Sequence, residues 1–298
     1  MMAEGFRESM SSRQLNADAS SWISNRAKSR LTTAAVWLAV ALGALIMAFP
    51  LYWMFVTTIV PREEAYSRDL HLIPQTIVFD NYINGWTSNP WPRWYGNTLI
   101  IVGTSVFGLT IFSLLAGFAF AKYEFRGRNA LFLLILSTLM IPLQVLLIPR
   151  FLLLAKLGWV NTYWGVIGPH MADPFGLFFA RQFMLDLPDE LLEAARLDGA
   201  GELTIFGKVV LPLTRPAIAV LVILGFAGRW NAFAWPLVAL PRKEMFTVQL
   251  GINFMKGEYS IDYPALIAMV VVSLIPIVIV FLSFQKYFVQ GIARTGIK

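Results

Sequence analysis

The sequence predicts an all-α integral membrane protein with six transmembrane helices and a charged helical loop between the fourth and fifth. Three observations carry this. Of 298 residues, 57% are hydrophobic and only 14% charged, with a mean hydropathy of +0.62, whereas a soluble domain carries about 25% charged residues. Apolar runs long enough to cross a bilayer recur along the chain. One segment, Leu187 to Pro212, is too charged for lipid yet lies between two such runs.

Composition also excludes several kinds of chemistry. The chain has no cysteine, which rules out disulfides, thiol catalysis and thiolate metal sites. Two histidines, His71 and His170, are too few for a histidine cluster, so no catalytic or metal-ligating set is expected. A net charge of +6 would suit nucleic acid, but the basic residues stand mainly beside the ends of apolar runs, so no nucleic-acid partner is expected. Gly201 to Lys208 superficially resembles a phosphate loop. Five residues separate Gly201 from Gly207 where four are needed, and Val209 stands where Ser or Thr must reach magnesium. No cofactor is expected on this chain.

Residues 1–30 are polar, without apolar period, and read as a cytoplasmic arm ahead of a transmembrane domain at 31–298. A helix lying on the membrane through Trp22 and Ile23 is the alternative. The first span is expected at 31–60, too long for a signal peptide and without a cleavage site. A polar loop covers 61–95. The second span is expected at 97–123, where Ser113, Gly117 and Ala121 put small side chains on one face.

The third span is expected at 130–147, with Pro142 and Pro149 as breaks or kinks, followed by an interfacial piece at 150–161. Those prolines lie on roughly one face, which either lines a movable pathway near Gln144 or shapes static packing. The fourth, at 164–184, is the most polar, with Pro169, His170, Asp173 and Pro174. His170 and Asp173, three residues apart, are expected to share a helix face. Asp173 either faces the path or caps the following turn. The fifth is expected at 217–240, a loop at 241–263, the sixth at 264–284, and a tail to Lys298. Trp230, Asn231 and Phe233 fall near the fifth; their aromatic rings suit either sugar stacking or core and interface packing.

Within the charged loop, Pro188 suits a first helical position, and Asp189 and Glu190 place negative charge at the positive helix end. Arg196 and Gly199 suit the last turn and a left-handed cap. A second helix runs from about Glu202 to Val210, and Pro212 permits a new direction. Leu191, Ala194 and Ala195 are expected to form the face that seeks cover. Glu193 has Arg196 within pairing distance. With both termini inside, cytoplasmic segments hold fifteen Lys and Arg against eight outside, which places this loop in the cytoplasm.

Glu193-Ala194-Ala195, then Gly199, Val209 and Leu211-Pro212, resembles the EAA loop of bacterial ABC importer permeases, with Val209 in place of the usual isoleucine. From about residue 35 onward the chain is similar to the smaller permease of maltose-type, carbohydrate-uptake type I importers. The supporting stretches are 140–149, 157–162, Arg181-Gln182-Phe183, 230–237 and 285–291. Ala232 departs from the acidic or amide residue usual after the asparagine. The resemblance implies the type I importer permease fold in a bacterial inner membrane, and Glu193, Ala194, Ala195, Asp198, Gly199, Leu211 and Pro212 as the ATPase-coupling residues. It also implies a second homologous permease, two ATPase subunits that bind ATP and Mg, and an extracytoplasmic solute-binding protein. The expected function is ATP-driven alternating access for a sugar or sugar-like solute, with the loop at 241–263 reaching toward the binding protein. An ion-coupled secondary transporter is the alternative, but it has no need for such a loop. A membrane enzyme would need clustered acids or histidines, and only His170 and Asp173 lie close together within a span.

Overall fold

The computed structural model describes residues 32–67, 72–257 and 261–295, with side chains described through Lys286. The arm at 1–30, His71 and Tyr259 lie outside the described residues. Every regular element among the described residues is helical. The chain divides after Ile77 into two units. The first contains α1 (Thr32–Thr58), which answers to the expected first span, and the short α2 (Arg62–Ala65). Tyr52 Oη donates to the Leu72 carbonyl, so the chain beyond α2 folds back along α1.

The second unit opens with α3 (Asp80–Thr87) and α4 (Trp91–Lys122). Helix α4 begins six residues before the expected Asn97. Pro92 sits in its first turn, where a missing N–H costs nothing. Its 32 residues span about 48 Å, more than a bilayer's hydrocarbon core. Next come α5 (Arg128–Ser137) with a 3₁₀ turn at Thr138–Met140, α6 (Leu143–Leu157), α7 (Tyr163–Met171) and α8 (Pro174–Leu185). Helices α9 (Asp189–Leu197) and α10 (Glu202–Ile205), a π turn at Phe206–Val210 and α11 (Leu211–Leu213) form the charged loop. The chain then runs through α12 (Arg215–Trp230), α13 (Ala234–Ala239), α14 (Val248–Phe254) and α15 (Tyr263–Thr295).

Helix α4 is the centre of this unit, packing against α7, α8 and α12. The small-residue face read from the sequence meets α8. A Cβ on Gly117 would lie 2.7 Å from that of Ala180, and one on Gly176 would overlap Ser113 Oγ. The helices therefore approach backbone to backbone. The N-terminal end of α4 holds the segment before α14. Trp94 Nε1 donates to Lys243 O at 2.9 Å, and Asn97 Nδ2 to Glu244 O at 2.9 Å and Phe246 O at 3.0 Å. Thr98 Oγ1 accepts from Val248 N at 2.8 Å, and Gly251 lies so close to the Trp94 ring that a side chain there would overlap it.

Several expected spans are broken rather than straight. Among the described residues, α1, α4 and α15 are each long and apolar enough to cross a membrane, and two bent pairs would raise the number to five. The expected third span is one such pair, with a 103° turn between 128–140 and 143–157. The turn is at Ile141-Pro142, because Pro142 forces the residue before it out of the helical region. Pro149 does not break the chain: α6 runs through it, so 150–157 continues α6 instead of forming a separate interfacial piece. The α7–α8 stretch, expected as the fourth span, parts at Ala172–Asp173. The expected fifth span is also interrupted, with Asn231 to Phe233 separating α12 from α13. The last span begins at Tyr263, one residue before the expected Pro264.

Between α6 and α7, Gly158 closes α6 with φ +67°. Thr162 Oγ1 caps α7 by accepting from Gly165 N at 3.3 Å. The stretch 157–162 is thus two helix ends joined back to back.

Candidate functional site

Two places carry the residues singled out by sequence. The first is the charged loop. Helix α9 starts beside Pro188 with Asp189 and Glu190 in its first turn and Arg196 in its last. Asp198 closes it, and Gly199 has φ +79°, the left-handed turn expected there. Helix α10 follows, then the chain widens into the π turn just before Pro212, which cannot donate to a helical carbonyl. A bend of 77° separates this limb from α12. It falls at Thr214, two residues after Pro212 and two before Pro216.

The covered face is not the one read from the sequence. Leu192 is buried and Ala195 partly so, whereas Leu191 and Ala194 are exposed. The physical reason is register: Leu192 packs with Ile205, Phe206 and Val210 of the same loop onto Leu114, Phe118, Ala180 and Met184. Leu191, Leu197 and Leu203 consequently stand in solvent, Leu197 at 89% and Leu203 at 82% exposure. Glu193 is exposed, and Arg196 bonds instead to Glu202, Nε to Oε1 at 2.8 Å. Tyr123 Oη also donates to Glu202 Oε2. Arg196 first and Tyr123 second hold the Glu202 carboxyl below the usual range, while burial and then Glu202 push the Tyr123 phenol up. Lys122, its side chain 4% exposed, pairs with Asp189 at 2.7 Å and donates to Leu187 O at 2.6 Å.

The second place is the break between α7 and α8. Asp173 Oδ1 accepts from Phe175 N at 2.9 Å and Gly176 N at 3.2 Å, the capping role. Its other oxygen meets Arg229 Nη2 of α12 at 3.3 Å, and the same nitrogen donates to His170 O at 2.8 Å. His170 and Asp173 do not share a helix face, because α7 ends at Met171 between them. Arg229 is the residue that joins them. Its signal in the sequence is that of a lone cation inside a span, which requires a partner. Asp173 also lines a cavity of about 280 Å³ with Phe112, Ser113 and Leu177.

The remaining candidates are dispersed. Gln144 is exposed in the first turn of α6, beyond the bend. Trp230 is fully buried, stacked 5.3 Å from Phe226, with Nε1 donating to Ser273 O at 3.0 Å. Its ring is core and has no open face for a solute. Trp235 is likewise buried and bonded to Gly165 O. Asn231 and Phe233, in the break between α12 and α13, are partly or openly exposed, and Asn231 Oδ1 accepts from Gln249 Nε2 at 3.2 Å.

Residues 110–294 match the family described as binding-protein-dependent transport system inner membrane component. The chain is 41% identical over 258 residues to the arabinooligosaccharides transport system permease protein AraQ of Halalkalibacterium halodurans, covering 86% of this chain and 92% of the relative. It is 34% identical over 259 residues to the sn-glycerol-3-phosphate transport system permease protein UgpE of Escherichia coli, covering 84% and 92%. Among solved structures, it resembles a chain of a bacterial ABC transporter involved in the import of the acidic polysaccharide alginate. The TM-score is 0.78 at 25% identity, over 87% of this chain and 97% of that one. Fold, family match and relatives agree: this chain belongs to the binding-protein-dependent transport system inner membrane components, the permease subunits of ABC importers, and is a transport component rather than an enzyme.

Proposed function

We propose that this subunit forms half of the translocation pathway for a sugar or sugar-like solute, including glycerol-phosphate compounds, and that α9–α10 is its docking element for an ATPase. The observation that carries the reading is the two-sidedness of the loop. Leu192, Ile205 and Phe206 anchor it to the transmembrane bundle, while Leu191, Leu197 and Leu203 are presented outward beside Glu193. An exposed apolar face on a charged helix suits a helix-in-groove contact. Pro188, Gly199 and the π turn fix its attitude, so a push on α9 moves a shaped unit and not a slack loop.

Glu193, Ala194 and Ala195 are the contact residues in this reading, with Asp198, Gly199, Leu211 and Pro212 setting the geometry. The partners are a second homologous permease, two ATPase subunits that hold ATP and Mg, and an extracytoplasmic binding protein. Both termini and α9–α10 lie on the cytoplasmic side of the inner membrane, as the fifteen-to-eight distribution of basic residues favours. The solute class follows AraQ and UgpE, relatives in arabinooligosaccharide and sn-glycerol-3-phosphate transport systems.

Purification of the tagged chain from membranes tests this. Co-purification of a second permease and an ATPase with Mg-dependent hydrolysis is the expected result. A chain that purifies alone, with solute uptake driven by an ion gradient, would replace the reading with a secondary carrier.

A further inference from the structure

Covalently, the charged loop is joined to the bundle only through Leu185–Pro188 and Thr214, and the second junction is a 77° bend. Neither junction leads along the backbone into α4, the helix that holds the segment before α14 at its far end. Leu192, Ile205, Phe206 and Val210 of the loop pack on Leu114 and Phe118 of that helix, and two consecutive residues at its C-terminal end add polar ties that fix the direction of this apolar contact. Lys122, nearly buried, crosses to Leu187 O and Asp189, the entry to α9. Tyr123, packed edge-on against Phe118 at 5.3 Å, reaches Glu202 at the entry to α10. Arg196 then ties Glu202 back to the last turn of α9 at 2.8 Å. Both limbs of the loop are therefore pinned to one helix end by bonds from neighbouring residues, across 65 and 79 positions of sequence.

At the other end of the same helix, Trp94, Asn97 and Thr98 bond to Lys243, Glu244, Phe246 and Val248. An uninterrupted, close-packed helix with polar ties at both ends transmits displacement along its length, because packed interiors do not deform continuously.

Resting on the reading that α9–α10 docks an ATPase, we propose that Lys122 and Tyr123 are positioning residues that make the loop and α4 one rigid body. Movement at the loop thereby reaches the segment at 241–257. At the α4 end these polar ties add direction to the apolar packing on Leu114 and Phe118; the backbone from Tyr123 leads away into α5.

The lack of cysteine permits a solute-free test. Glu244→Cys, an exposed position on the far tie, is introduced into the complete transporter, and its labelling by a membrane-impermeant maleimide is followed with and without Mg-ATP and vanadate. The parent should show an ATP-dependent change of about fivefold in rate. Lys122→Met with Tyr123→Phe should retain the ATPase subunits and their hydrolysis but lose that change, and Lys122→Arg should restore most of it. Tyr123→Phe alone keeps the ring against Phe118 and should give a partial loss, which decides the matter if the double variant does not fold into the membrane. An undiminished response in the variants overturns the proposal while leaving the ATPase-docking reading intact. So does loss of the ATPase itself, since that would make these residues part of docking rather than transmission. No ATP response in the parent would instead sink the docking reading.

Discussion

Asp173 and Arg229 bring opposite charges together at 3.3 Å, with side-chain exposures of 26% and 11%. A cation inside a span is retained only when something meets its charge. Removing one member of such a pair costs about 3–5 kcal/mol where the other stays buried. Asp173→Ala is therefore expected to lower the Tm of the purified subunit sharply. Asp173→Asn keeps an acceptor for the Phe175 and Gly176 amides and should lower it less. Pairing Asp173→Asn with Arg229→Met should recover most of the loss, and equal Tm values for the Ala and Asn single variants would show that the capping bonds contribute little. The sequence made Asp173 conspicuous but concealed its partner, 56 residues away, because nothing local to either residue encodes that pairing. At the loop, Glu202 has a pH signature. Its carboxyl is held below the ordinary value, so its contribution is present above the usual glutamate pKa of about 4.3 and is lost as pH falls through the folded value. Amide exchange at 199–202, corrected for intrinsic rates, should thus rise only in strong acid. Glu202→Gln should show the raised exchange already at neutral pH; unchanged exchange would mean the Arg196 and Tyr123 contacts do not order this turn.

At the scale of elements, the features readable from sequence were those set by neighbouring residues. Gly199 and the small residues of α4 act within a turn or two, and the structure places each as expected, while Pro188 stands one residue before the first helical position, at the N-cap of α9. Which leucine of α9 faces inward was not readable, because Leu191 and Leu192 differ only in the surface offered by Phe118 and Met184 from distant helices. The breaks at Pro142 and Ala172–Asp173 were signalled by proline, but their sharpness depends on where the following helix packs. Two variants separate local from packing effects. Gly199→Val puts a β-branched residue at φ +79°, costing about 1–3 kcal/mol, yet a Cβ there meets no neighbour. The subunit should still insert, with the attitude of α9 altered. Membrane yield near wild type together with reduced ATPase retention is the expected pair of measurements, and full retention with full uptake would remove this turn from coupling. Gly117→Val should behave oppositely: its Cβ would press into the Ala180 backbone, so the α4–α8 contact opens and yield itself falls.

At the scale of the molecule, the exposed surface of the second unit is apolar over wide areas, including Leu133 and Leu134 of α5, Ile148 of α6 and Ile279 of α15. A chain so covered is stable only against lipid or another subunit. Polar material lies at the two ends of α4: the charged α9–α10 loop at its C-terminus, and the segment carrying Arg242, Lys243 and Glu244 at its N-terminus. About 48 Å of helix separates them, enough to put one on each side of a bilayer. The proposed orientation, with α9–α10 cytoplasmic, assigns fifteen basic residues to that side against eight to the other. Single cysteines at Leu203 and Glu244 report the two ends, in a chain without thiols of its own. In spheroplasts, an impermeant maleimide should label Glu244→Cys at once and Leu203→Cys only after permeabilisation. Leu203 is 82% exposed, so slow labelling in sealed spheroplasts would reflect the membrane and not burial, provided that the ATPase is stripped before the permeabilised control. The reverse pattern would place α9–α10 outside, where no nucleotide-driven partner could reach it. Labelling of both from outside would mean that α4 does not cross the membrane.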